Sequence, residues 1–193
     1  MKLKRDDLWS LEEYAAERES FRAMILKHKK VRQVALGPHA TLYFEDRLTM
    51  KYQVQEMLRV ERIFEREEIE EELAAYNPLI PDGKNWKATF MIEYGDEEER
   101  RIALANMGGI EETLWVQVGN GEKSFAITNE DMDRTRDTKA AAVHFTRFEL
   151  SDTDLEAINQ GSEIRFGLDH PSLATTVTLD FKERLSLVAD LDL

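Results

Sequence analysis

Apolar residues recur at helical spacing through the first third of the chain. Ser10-Leu11-Glu12-Glu13 has the S-x-x-E pattern of a capping box. Leu11, Tyr14, Phe21, Met24 and Ile25 approximate one face, which predicts a helix from that cap to Lys30 with a break near Ser20. Lys27, Lys29 and Lys30 fall in its last turns, where cations suit the helix dipole. The period then shortens: Val34 and Leu36, the turn pair Gly37-Pro38 and the alternating Leu42 and Phe44 predict a short hairpin. Over 46–76 no Gly or Pro interrupts a run rich in Met, Leu, Glu, Arg and Gln, which reads as one long helix bent near 66–69. Asn77-Pro78-Leu79-Ile80-Pro81-Asp82-Gly83 closes it as a rigid loop.

Beyond that loop the pattern turns to alternation. Strands are expected over 86–94, 113–118, 123–128, 142–150, 163–170 and 175–179, with helices over 96–107, 153–160 and near the C-terminus. Asn120-Gly121 between two alternating runs is the strongest hairpin signal and makes the middle of the sheet antiparallel. Helices first and strands afterwards is an α+β order: N-terminal helices, one of them long, packed on a largely antiparallel sheet formed mainly by the C-terminal half. No repeat and no linker divides the 193 residues, so one domain is expected, helical over about 1–83 and sheet-rich over about 84–193.

Composition removes several classes of function. The chain has no cysteine, which excludes disulfides, thiolate nucleophiles and cysteine-ligated metal or iron–sulfur centres held by its own side chains. A formal charge of −13 argues against a nucleic-acid partner, because phosphate binding draws on Lys and Arg. Residues 1–32 run against that trend, with nine Lys/Arg to six Asp/Glu, and the basic arm is expected to lie on the acidic body. No apolar h-region follows the N-terminal charges and no run is long enough to span a membrane, so the expected location is the cytoplasm, away from membranes.

No compact catalytic motif survives inspection. Gly119-Asn120-Gly121-Glu122-Lys123-Ser124 resembles a phosphate loop, but Phe125 and Ile127 continue it as a strand where a helix is needed. None of His28, His39, His144 and His170 has a second ligand three or four residues away, so a histidine site would have to be assembled from separate elements. The polar residues that fall on apolar faces are therefore the candidates. At about 100° per residue, Ile63, Val60, Phe64, Met57, Met50 and Val54 form one arc of the long helix, and Gln53 and Glu56 fall inside it. A buried carboxylate needs a partner, and Arg59 or Arg147 could supply it. Period two puts His170 with Ile164, Phe166 and Leu168, and His144 with Phe148 and Leu150. Each histidine taken alone reads more readily as a satisfied core residue. Together they define a candidate His144/His170/Glu56 centre for a divalent metal or acid–base chemistry, supported by Gln53, Arg59 and Arg147.

The runs Tyr52 to Phe64, Tyr76-Asn77-Pro78-Leu79-Ile80-Pro81-Asp82-Gly83, Ala142 to Leu150 and Asp169-His170-Pro171 resemble DUF3501, a bacterial family of unknown function, over nearly the whole chain. The resemblance implies company with rubrerythrin-type or iron–sulfur oxidoreductases. Two principal expectations follow. The first is a binding or accessory protein for an oxidoreductase partner, with its polar residues paired internally and a surface patch left for docking. The alternative is a small His/Glu-ligated metalloprotein or metalloenzyme in redox or peroxide defence. A third, weaker reading uses Glu56 and a histidine as an acid–base pair in a pocket.

Overall fold

The computed structural model describes residues 2–128 and 140–193. Helix α1 (Leu11–Lys30) starts at the predicted box: Ser10 Oγ accepts from the Glu13 amide at 3.2 Å and the Glu13 carboxylate accepts from the Ser10 amide at 2.8 Å. It does not break at Ser20, whose hydroxyl donates to the Glu17 carbonyl at 2.9 Å and leaves the helix intact. Its buried face, Tyr14, Phe21 and Ile25, packs with Trp9 and Tyr52. Trp9 meets Phe21 edge-on at 5.0 Å, which locks the entry segment against the helix.

The expected long helix is two helices, α2 (Arg47–Glu61) and α3 (Arg66–Tyr76). Arg62 ends α2 in the left-handed region at φ 58°, and the Ile63 amide bonds back to the Leu58 carbonyl at 2.9 Å. Packing imposes this turn, since Ile63 drops into an apolar cluster with Leu58, Leu73 and Ile80. No glycine or asparagine marks it, so the local code for a helix stop is missing. The turn takes Ile63 and Phe64 out of the phase of α2, and Val60 just before it lies off the buried stripe. Val60 is 62% exposed and Phe64 70%, and the buried stripe is Met50, Val54, Gln55 and Leu58.

Nine strands are described: β1 (Gln33–Ala35), β2 (Ala40–Glu45), β3 (Asn85–Ile92), β4 (Leu114–Val118), β5 (Ser124–Phe125), β6 (Ile127–Thr128), β7 (Val143–Glu149), β8 (Ile164–His170) and β9 (Leu173–Thr178). Three further helices, α4 (Glu97–Ala105), α5 (Asp152–Asn159) and α6 (Phe181–Val188), complete the α+β fold. The strands form two antiparallel sheets, ordered β1-β2-β3-β7-β6 and β5-β4-β8-β9. The strand expected over 123–128 divides at Ala126, whose amide bonds the Leu114 carbonyl at 2.8 Å while the chain passes from one sheet to the other. The Asn120-Gly121 signal does mark the β4–β5 connection, as a five-residue loop over 119–123 with Gly119 at φ 54°.

The sheets meet around Phe166, whose ring lies 4.9 Å from Phe44, 5.1 Å from Phe148 and 5.7 Å from Trp86. Trp86 also donates its indole N–H to the Leu187 carbonyl at 2.8 Å, pinning α6 to the core. On the β2–β3 surface nearer α2, buried Glu45 accepts from Thr49 at 2.7 Å and from Thr89 at 3.0 Å, joining that helix to the sheet. Among the described residues no helix is long and apolar enough to cross a membrane.

Candidate functional site

Glu56 is paired, with the expected Arg59 and more closely with α1. Its carboxylate accepts from Arg18 Nε at 2.7 Å and Nη2 at 2.9 Å, from the Tyr14 hydroxyl at 2.5 Å and from Arg59 at 3.3 Å. The Arg18 fork is the main reason that its pKa falls to about 2, against an opposing push from burial. Of the three supporting residues expected around it, only Arg59 joins. Gln53 is half-buried, while Gln55 is the wholly buried amide, binding the Trp9 backbone N–H at 2.7 Å. Arg147 pairs with Glu149 on its own strand. The helical arc drawn from the sequence is rotated because it counts Val60, Ile63 and Phe64, so Glu56 faces α1 and not the sheet.

The two histidines do face inward, with His144 fully buried and His170 8% exposed. They converge on one short segment. His170 Nε2 donates to the Gly108 carbonyl at 3.3 Å and its Nδ1 accepts from the Ser172 amide at 3.1 Å. His144 Nε2 donates to the Ala141 carbonyl at 2.9 Å, and its Nδ1 lies 3.6 Å from the carboxylate of Glu111, which is also fully buried. The carboxylate that meets His144 is thus Glu111, from the turn at Ile110–Thr113, and not the expected Glu56. Period analysis misses Glu111 because it sits in a one-turn segment with no extended pattern. Among the described residues no group of three or more His, Asp and Glu side chains could hold a metal ion.

A second polar cluster was not singled out by sequence. Arg32 is 2% exposed and uses its guanidinium against the Phe44 and Glu45 carbonyls, Ser186 and Asp190, the last at 2.5 Å. His28 Nε2 donates to Asp46 at 2.5 Å. Asp46 is meanwhile the cap of α2, accepting from the Thr49 amide at 2.7 Å. Burial pushes Asp190 up to about 6 in spite of Arg32. Burial works on Asp46 in the same direction, but Arg32, the Thr49 amide and His28 together hold it below its ordinary value. These groups line a cleft of about 640 Å³ with Asp82, Gly83 and Asp192. Two carboxylates displaced in opposite senses beside an imidazole can accept and return a proton. Four sequence-distant segments build the cluster, so only the contact between α6 and the α1–α2 corner makes it visible.

An apolar groove of about 490 Å³ opens between the entry segment and the α2–α3 turn, lined by Trp9, Leu11, Leu58, Ile63, Phe64 and Ile69. Its α3 side is acidic: residues 61–72 carry seven glutamates against two arginines. Among the described residues none of those glutamates forms an ion pair, whereas Glu56, Glu98 and Glu163 all do. Glu72 is pushed up, first by partial burial and then by Glu61 and Glu71, as expected where negative charges crowd without counterions.

Helices on a two-sheet antiparallel core, cross-linked by internally paired polar residues, define an α+β protein of a recognisable kind. The chain belongs to the DUF3501 family, described as proteins of unknown function, whose profile matches residues 2–191. It is similar to a protein of unknown function from Burkholderia pseudomallei K96243 known from a crystal structure, at 44% identity and a TM-score of 0.93, with 100% of each chain covered. No curated protein matches the chain.

Proposed function

We propose that this chain is a binding or accessory protein that works through contact with a protein partner, the family resemblance pointing to an oxidoreductase of the rubrerythrin or iron–sulfur type. The observation that supports this most is the fate of Glu56: its carboxylate is consumed by Tyr14, Arg18 and Arg59, so the inward-facing acid serves to join α1 to α2. His144 and His170 are likewise engaged by backbone groups. The test is a calorimetric titration of the tag-free protein against a purified rubrerythrin-type oxidoreductase and a purified iron–sulfur oxidoreductase, run beside metal analysis. Saturable binding to one of them without histidine-dependent metal is expected. Stoichiometric metal that is lost in His144→Ala and His170→Ala, with no partner binding, would replace this reading with the metalloprotein one.

A second reading, acid–base chemistry, is favoured by one observation, the opposite displacement of Asp46 and Asp190 beside His28 in an open cleft. Carbon-13 NMR titration of the Asp190 carboxyl group tests it. A midpoint near pH 6 is required, and a midpoint below pH 4 removes the proton-holding group on which it depends.

A further inference from the structure

The acidic groove has a chemical complement on the same chain. At about 100° per residue, Arg22, Ala23, Leu26, Lys27 and Lys30 of α1 fall within an arc of about 140°. All five are exposed, Leu26 at 46%. Among the described residues none of Arg22, Lys27 and Lys30 pairs with a carboxylate, although other exposed cations do, such as Lys84 with Asp152 and Arg101 with Glu98. The basic arm thus meets the acidic body through Arg18, on Glu56, and Arg32, on Asp46 and Asp190, while the outer face of α1 keeps Arg22, Lys27 and Lys30 off carboxylates. The groove offers the reverse: an apolar floor, an exposed Phe64, and beside it the α3 flank, whose glutamates form no ion pair among the described residues.

The two patches lie apart within one copy, because the groove takes only the first turn of α1, at Leu11 and Glu12, and Arg22 begins about 15 Å further along that helix. We infer that the occupant of the groove is a second copy of this chain, whose α1 face lays Leu26 toward Phe64 and Ile63 and sets Arg22, Lys27 and Lys30 against the glutamates of α3. One helix in one groove is a small contact. A twofold axis makes the exchange reciprocal, so each copy gives its α1 face and receives the other's, which doubles the buried surface and brings it nearer the size that stable dimers need. The inference is independent of the oxidoreductase reading, since it rests on two surfaces of the chain itself.

The test is light scattering and sedimentation of the full chain at low and at high salt. The expected result is a species of twice 22.4 kDa whose dissociation constant rises with salt. Paired reversals Arg22→Glu with Lys27→Glu, or Glu67→Lys with Glu68→Lys, should each raise that constant at least about tenfold, since like charges then face each other. Combining all four should restore association. All four positions are exposed, and circular dichroism of each variant checks that the fold is retained. A monomer at low salt, or a dimer that ignores both reversals and is not rescued by their combination, overturns the inference.

Discussion

Replacing Asp190 by Asn should stabilise the protein at neutral pH, although it removes a carboxylate lying 2.5 Å from a buried arginine. The ordinary expectation is the reverse, because breaking a buried ion pair is usually costly. Here the carboxylate is 11% exposed and its pKa is raised from 3.8 to about 6, so burial outweighs the guanidinium. A raised folded-state value means that the native protein holds the extra proton between about pH 4 and about pH 6. Stability from this group is therefore fully present below pH 4 and is lost as pH rises through 6. The whole displacement corresponds to about 3 kcal/mol, of which roughly half separates pH 5 from pH 7.5. An Asn side chain imitates the protonated acid, keeps a carbonyl oxygen for Arg32 and does not titrate. Urea unfolding of both proteins from pH 5 to 7.5 should show the variant gaining on the parent as pH rises. A variant less stable at pH 7.5, or a difference constant across the range, would refute the argument that desolvation dominates this pair.

Glu56→Gln has the opposite sign. Its folded-state pKa is lowered from 4.5 to about 2, so its contribution is present above pH 4.5 and lost as pH falls through 2. Allowing for the 36% exposure of Arg18, the substitution should cost about 1–2 kcal/mol at pH 7, and in acid unfolding the difference from the parent should shrink below pH 4.5. Arg62→Gly relieves a left-handed arginine at φ 58° and should raise thermal stability by about 1 kcal/mol, read as a shift in melting temperature. Gly167→Ala would bring a Cβ to 2.2 Å from the Trp115 ring and 2.5 Å from the Thr175 carbonyl, so a loss of about 1–3 kcal/mol is expected by chemical denaturation.

The α+β order was legible because each part of it is carried by local periodicity: the Ser10–Glu13 box, the alternation around His144 and around Phe166, and the turn at Asn120-Gly121 all appear where the sequence places them. The split of the long helix was not, because Arg62 adopts a glycine-like conformation for the sake of burying Ile63, and no local code announces it. That one turn carried through to the site. Counting Val60, Ile63 and Phe64 into the helical arc rotated the apparent buried face and aimed Glu56 at the sheet, whereas it meets Arg18. The inward placement of His144 and His170 was readable from period two, and their shared contact with residues 108–111 was not, since it depends on a loop.

The polar residues around α2 share one structural role. Arg32, Glu45, Glu56 and Asp46 each bridge elements that adjoin α2, and each is satisfied by more than one partner. A helix layer held to a sheet by apolar contact alone could slide by a turn at small cost, whereas moving any of these groups leaves a buried charge or hydroxyl without its bonds. The polar interior thus fixes the register of α1 and α2 on the β2–β3 surface. That register leaves the cations of α1 exposed on its outer face and opens the groove at the α2–α3 turn, so the buried network and the two exposed patches are parts of one arrangement. Weakening Glu56 should therefore loosen the geometry on which association depends, even though its carboxylate lies outside the groove.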